Sequence, residues 1–174
     1  MNIILFGYRG SGKTTIGKRL ANQLWKTFVD VDEQTCRRFG NDSIAAIWDE
    51  HGEPAFRAAE TEVTKELCGR TDLVISLGGG ALMQAEARAA VEQAADAARI
   101  YLFCEPDELF RRISADDHSD KTRPNLTPLG GGLEEIEAVL AERDPVYRAV
   151  ADKVFDVTHL DPVNACRYLI AKCL

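Results

Sequence analysis

Asn2-Ile3-Ile4-Leu5-Phe6 runs directly into Gly7-Tyr8-Arg9-Gly10-Ser11-Gly12-Lys13-Thr14, and this junction decides the fold. The second stretch fits G-x-x-x-x-G-K-[S/T], a loop whose glycines let successive backbone N–H groups converge on phosphate oxygens. Residues 3–6 read as a buried strand. Residues 14–24 carry Ile16, Leu20 and Leu24 at i, i+4 spacing, as in a helix packed on a sheet. The helix N-terminus adds a favourable dipole for an anion. Lys13 is placed to reach the β- and γ-phosphates of a nucleoside triphosphate, and the Thr14 hydroxyl to take one position on Mg²⁺. Gly10, Ser11, Gly12 and Thr15 complete the phosphate-binding set. A glycine-rich turn matching by chance would not be expected to bring strand, loop, Lys-Thr and amphipathic helix in this order.

The chain has 174 residues and a formal net charge of −7. That length predicts one domain, 1–174, with a core of its own. The acidic balance argues against a broad nucleic-acid-binding face, though not against a local basic pocket. No apolar stretch approaches transmembrane length, so no membrane association is expected. The first strand starts almost at once, which predicts no leader segment and a cytoplasmic location. Five scattered cysteines (Cys36, Cys68, Cys104, Cys166, Cys173) include no C-x-x-C pair. They read as reduced packing and surface thiols rather than disulfides or a metal site.

Strand-like and helix-like segments alternate. An extended run at 28–32 precedes helical patterns to about 39 and from 43 to 51. Pro54, tolerated in a first turn, opens a longer helix to about 67. Residues 73–77 read as a buried strand closed by Gly78-Gly79-Gly80, followed by an Ala- and Glu-rich helix. Residues 99–104 form the next strand, and Asp107 is expected to cap a short helix to 113. From 114 to about 132 the pattern fails in a polar stretch with two prolines and three glycines, which predicts a lid. A helix from 134 to 151, a strand at 153–158 and a helix from Asp161 complete the chain. Five strands alternating with helices predict an α/β fold with a mainly parallel, five-stranded sheet.

A P-loop alone leaves the phosphoryl acceptor open. Asp30 and Asp32 alternate along the extended run, so both are expected on one side of a strand's C-terminal end, where open parallel sheets bind ligands. One carboxylate would help hold Mg²⁺ through water and the other would take a proton from an acceptor hydroxyl; a helix cap is the bland alternative. Glu53, Arg57 and Glu60 share a helical face. They read either as a solvated ion-pair stripe or, with Phe56 and alanines around them, as an arginine pre-positioned to grip a carboxylate. Gly78, Gly79 and Gly80 permit close backbone approach to a ligand, or form a plain turn. Arg143 sits at an expected helix break before Pro145 and alone means little. Arg123, in the suspected lid, would neutralise charge on the transferred phosphoryl group.

Taken in order, the P-loop, Phe28-Val29-Asp30-Val31-Asp32, Gly52-Glu53-Pro54-Ala55-Phe56-Arg57-Ala58-Ala59-Glu60, the triple glycine, Arg123-Pro124 and Arg143-Asp144-Pro145-Val146-Tyr147 resemble the shikimate kinase family. The resemblance covers essentially the whole chain. It implies a nucleoside-monophosphate-kinase-like P-loop fold with a mobile lid (about 114–132) and a substrate-binding segment (about 31–62). It implies transfer of the γ-phosphoryl of ATP to the 3-hydroxyl of shikimate, with one Mg²⁺, in a monomer. Carried over by residue, Lys13 serves the phosphates, Thr14 the metal and Asp30 its outer environment. Asp32 is the base, Arg57 and Arg143 grip the substrate carboxylate, Gly79 assists on the hydroxyl side, and Arg123 covers ATP. The chain departs from the family at Asn125-Leu126, where two leucines are usual, and at His159-Leu160, where a basic residue often meets the adenine. A gluconate kinase and a catalytically silent nucleotide-binding module are the alternatives.

Overall fold

The computed structural model describes residues 1–41, 43–116 and 124–173. β1 (Asn2–Phe6) is buried at every position. Ile3 and Leu5 face one core, and Ile4 and Phe6 the other. A strand apolar on both faces belongs inside a parallel sheet covered by helices on both sides, and β1 lies at its centre. The strand order is β2-β3-β1-β4-β5, with β2 (Thr27–Asp30), β3 (Leu73–Ser76), β4 (Ala97–Phe103) and β5 (Lys153–Asp156). Every pairing is parallel, with Ile4 opposite Ile75 and Arg99.

One core gathers Leu5, Ile16, Leu20, Leu102, Leu109 and Leu169 beneath α1 (Lys13–Gln23), α6 (Pro106–Ser114) and α8 (Pro162–Cys173). The other gathers Phe6, Val63, Leu67, Ile75, Val91, Tyr101 and Tyr147 beneath α4 (Glu53–Cys68), α5 (Ala85–Gln93) and α7 (Leu133–Val150). A smaller cluster of Cys36, Ile47 and Phe56 ties α2 (Val31–Arg38) and α3 (Ile44–His51) to α4. Trp25, by contrast, is 95% exposed. Among the described residues no helix is long and apolar enough to cross a membrane. Cys36, Cys68, Cys104 and Cys166 form no disulfide. Burial pushes the thiols of Cys68 and Cys104 up to about 11, as expected of packing residues.

Three local expectations change. β2 ends at Asp30 and α2 begins at Val31, so residues 28–32 are not one extended run. Asp30 accepts from the Glu33 amide and caps the helix, while Asp32 and Glu33 suit its positive N-terminus. α7 continues through Pro145 rather than breaking there. Proline removes one donor, but the packing of Ile136, Val139, Leu140 and Tyr147 holds the helix together around it. Asp107 lies inside the first turn of α6, where Pro106 takes the opening position and Glu105 is the cap residue.

The sheet's N-terminal edge is tied by one side chain. Asn2, 2% exposed, donates Nδ2–H to the Arg70 carbonyl at 2.7 Å and accepts from the Leu73 amide at 3.0 Å. Asn2→Ala strands a buried amide and a carbonyl, which costs about 1–3 kcal/mol. At about 2–4 °C per kcal/mol for a chain of this size, calorimetry should show a clear fall in Tm. An unchanged Tm would mean that water replaces the amide.

Candidate active site

The two strands that meet at the sheet's centre open one cavity of about 890 Å³ at their C-terminal ends. Its donor end is the P-loop after β1. Gly7, at φ +147°, would place a Cβ 2.5 Å from the Leu102 carbonyl oxygen, so no other residue fits without shifting backbone. Gly12 precedes α1 with no side-chain cap, and Lys13, Thr14 and Thr15 of the first turn line the cavity. Lys13 Nζ donates to the Gly7 and Tyr8 carbonyls at 2.9 and 3.0 Å, arching over the loop.

Thr14 Oγ1 donates to Asp30 Oδ2 at 3.0 Å, so a hydroxyl and a carboxylate meet beside the loop. Both are hard oxygen donors. Among the described residues no three His, Cys, Asp or Glu side chains cluster as metal ligands. Mg²⁺ needs no such cage, because it keeps waters and takes nucleotide phosphates with only one or two protein oxygens. The pair fits that ion.

The acceptor end is organised by the triple glycine after β3. None of these glycines has a positive φ; side chains press closely against Gly78 and Gly80, whereas a Cβ on Gly79 would meet only ordinary contacts. A Cβ on Gly78 would lie 2.1 Å from Glu60 Oε1 and 2.4 Å from Asp32 Oδ1, so those oxygens are at most 4.5 Å apart. A Cβ on Gly80 would lie 2.6–2.7 Å from the Arg57 guanidinium, and one on Gly79 would lie 3.4 Å from Arg143 Nη1. One turn therefore meets two carboxyl groups at its start and two arginines, from α4 and α7, at its end. Tyr147, a turn beyond Arg143, donates its hydroxyl proton to the Gly79 carbonyl and fastens α7 to this turn.

Arg57 is held on both sides. Glu53 takes Nε at 3.1 Å, Glu60 takes Nη1 at 2.8 Å, and the guanidinium lies 5.4 Å from the Trp48 ring centre. Glu60 is fully buried, and its second oxygen has no hydrogen-bond partner among the described residues. Burial pushes its carboxyl up to about 7; Arg57 opposes that shift and the neighbouring Asp32 adds to it. The other buried side-chain polar atoms in this condition are Tyr8 Oη, Arg9 Nε, Ser11 Oγ and Trp48 Nε1. All belong to the P-loop or to the acceptor end of the cavity, where a bound ligand or water would supply partners.

At the far end of the donor side, Arg112 donates to the Val157 and Thr158 carbonyls at 2.8 and 3.1 Å. His159 and Leu160 line the cavity there. Lys13, Thr14, Asp30, Asp32, Arg57, Gly79, Gly80 and Arg143 thus come together around one space; Arg123 lies outside the described residues. Sequence reasoning missed three participants. Arg9 was visible only as a variable position of the motif. Glu135 lies on the buried stripe with Ile136, Val139 and Leu140, a placement that sets it apart from an ordinary helix-surface charge. Tyr147 stood only as part of the Arg143-Asp144-Pro145-Val146-Tyr147 motif, with no role of its own.

A parallel sheet with a P-loop, a lysine arched over it and a second subsite on the same cavity defines a P-loop phosphotransferase for a small acceptor. The sequence matches the shikimate kinase family over residues 9–174, and the chain belongs to that family. It is 41% identical to shikimate kinase of Nitrosococcus oceani over 94% of this chain and 82% of that protein. A shikimate kinase from Acinetobacter baumannii, solved in complex with shikimate, superimposes with a TM-score of 0.87 at 33% identity, covering 97% of this chain and 90% of that one. A gluconokinase from Sinorhizobium meliloti shares the fold at a TM-score of 0.54 and 16% identity, covering 98% of this chain and 89% of that one.

Glu60 makes stability depend on pH. Unfolded, it ionises near 4.5; folded, it keeps its proton to about 7. The folded state therefore binds more protons across that window. The Glu60 contribution is intact below about 4.5 and lost as pH rises through about 7. Urea unfolding of the wild type and Glu60→Gln at pH 5 and pH 8 should show a decline with pH that the variant lacks. Parallel declines would move the effect elsewhere.

Proposed function

We propose that this chain transfers the γ-phosphoryl group of ATP to the 3-hydroxyl of shikimate, giving shikimate 3-phosphate and ADP, in aromatic amino acid biosynthesis. The observation that carries the reading is the convergence of Arg57 and Arg143 on Gly79-Gly80, with Asp32 at Gly78, in the same cavity as the P-loop. Two planar forks from separate helices suit a carboxylate, and an aspartate a few ångströms away suits ring hydroxyls.

Phosphoryl transfer leaves the protein little covalent work, so catalysis is positioning and charge stabilisation. Lys13 and the amides of Gly10, Ser11, Gly12, Thr14 and Thr15 hold the phosphates. Thr14 and Asp30 would hold Mg²⁺, Asp30 in its outer environment. That ion, bound with ATP, would neutralise charge on the transferring phosphates. Asp32 orients the acceptor hydroxyl and accepts its proton. Arg57 and Arg143 bind the carboxylate at the other side of the ring, and the Gly78–Gly80 turn meets the acceptor between them. Arg123, on a lid at about 114–132, stabilises the transferred group, and 31–62 is the acceptor-binding segment. The chain works as one kinase domain, 1–174, a monomer in the cytoplasm without nucleic-acid or membrane partners.

The test is ATP-dependent phosphorylation across a panel of hydroxy acids, with the position of the product's phosphate identified. Saturable turnover on shikimate is expected; turnover on gluconate alone would overturn the reading, and ATP binding without any transfer would point to a silent module. Asp32→Asn should leave ATP affinity nearly unchanged and cut kcat by about 10²–10⁴, the usual contribution of a positioned base. Wild-type turnover would remove Asp32 from that role. Arg57→Ala should raise KM for shikimate at least about tenfold, as loss of a charge-assisted contact implies, with KM for ATP little changed. Equal shifts in both KM values would argue against a dedicated acceptor contact.

A further inference from the structure

The P-loop is wired to another wall of the cavity by a buried ion pair. Arg9 Nη2 meets Glu135 Oε2 at 3.1 Å, and Arg9 Nη1 donates to the Pro124 carbonyl at 3.3 Å. Glu135, in the first turn of α7, has no solvent exposure. Its other oxygen accepts from the Leu126 amide at 2.9 Å, the Thr127 amide at 2.6 Å and the Thr127 hydroxyl at 3.0 Å. Pro124 and Leu126 line the cavity, and Leu126 also packs against the core beneath α1. Residues 124–127 are thus a strap along the cavity whose amides end on one carboxylate, and that carboxylate ends on the phosphate loop.

Stability does not account for such a pair. Burying both ions costs their hydration, and apolar replacements of similar volume commonly leave stability unchanged or improved. What a buried pair does supply is register: each partner is worth most where the other can meet it. Here the register joins three parts. Arg9 belongs to the donor loop, Glu135 to the helix that carries Arg143, and 124–127 to the cavity wall. The loop backbone also runs near the glycine turn, since a Cβ built on Gly79 would lie 3.9 Å from the Arg9 amide nitrogen.

We propose that Arg9 and Glu135 are positioning residues that fasten the 124–127 strap to the phosphate loop, so that the loop meets a nucleotide already arranged. Without the pair, loop and strap must be ordered at the moment of binding, which lowers affinity although no direct contact to the nucleotide is lost. This inference rests on nucleotide binding at the P-loop, not on the identity of the acceptor.

Calorimetric titration of the full chain with ADP and Mg²⁺ tests it. Arg9→Met and Glu135→Gln should each weaken ADP binding by about tenfold, and the double variant should be no weaker than the singles, because one device is removed in each case. Arg9→Lys, which keeps the charge on a single donor, should recover part of the loss. Shikimate affinity in the same variants should stay within about twofold, since no contact to the acceptor is removed. ADP affinity within about twofold of wild type in folded Arg9→Met, or losses that simply add in the double variant, overturns the proposal. So does a fall in Tm with unchanged ADP affinity, which is what a purely structural pair would give. If Arg9→Met does not fold, Arg9→Lys and Glu135→Gln decide by the same criteria. A wild type that binds ADP but does not phosphorylate shikimate would sink the acceptor assignment and leave this one standing.

Discussion

The Leu77 amide donates to the Leu5 carbonyl at 2.9 Å, and this rung closes the pairing of β1 with β3. Beyond it the two chains part. One becomes the P-loop and the other the triple glycine, so the separation of phosphoryl donor and acceptor is set by neighbouring strands of one sheet. That rung in turn depends on β1 being buried on both faces, since only a central strand has hydrogen-bonded neighbours on each side. β2, β3, β1 and β4 also reverse their winding about β1, which opens the crevice at that edge. The site is therefore a consequence of where a five-residue apolar strand can be satisfied.

The glycine turn then fixes the polarity of the acceptor end. Position 78 is closed to a methyl group by two carboxyl groups, and position 80 by a guanidinium. Carboxyl groups lie on one side and a guanidinium on the other, at glycines 78 and 80. Tyr147 clamps the same turn to α7, so Arg143 cannot drift from Arg57 without breaking a buried hydrogen bond.

The fold and most of the site were legible because they follow local rules. The P-loop carries its own spacing, β1 its unbroken apolar run, and Glu53, Arg57 and Glu60 their helical periodicity. Asp32 was found for a reason that did not hold: it enters from the first turn of α2, not from an extended strand, because the strand ends at Asp30, whose side chain caps that helix. Pro145 looked like a break because local chemistry says so; tertiary packing of α7 overrides it. Arg9 and Glu135 stayed hidden because they meet across 126 residues, and one-dimensional patterns carry no sign of such a pairing. The triple glycine was read as allowing close backbone approach to a ligand or as a plain turn; Gly79 and Gly80 line the cavity, while Gly78 and Gly80 also make room for the site's own side chains.

Trp48 lies in the cavity wall with its ring beneath the Arg57 guanidinium, whereas Trp25, the other tryptophan of the chain, stands almost wholly in water. The protein thus contains two indoles, one in the cavity wall and one in solvent. Quenching by a soluble ion would silence Trp25 first and leave an emission spectrum dominated by the indole next to the anion grip. With Trp25 silenced, occupation of the pocket would be read from Trp48 alone, in unlabelled protein and in real time.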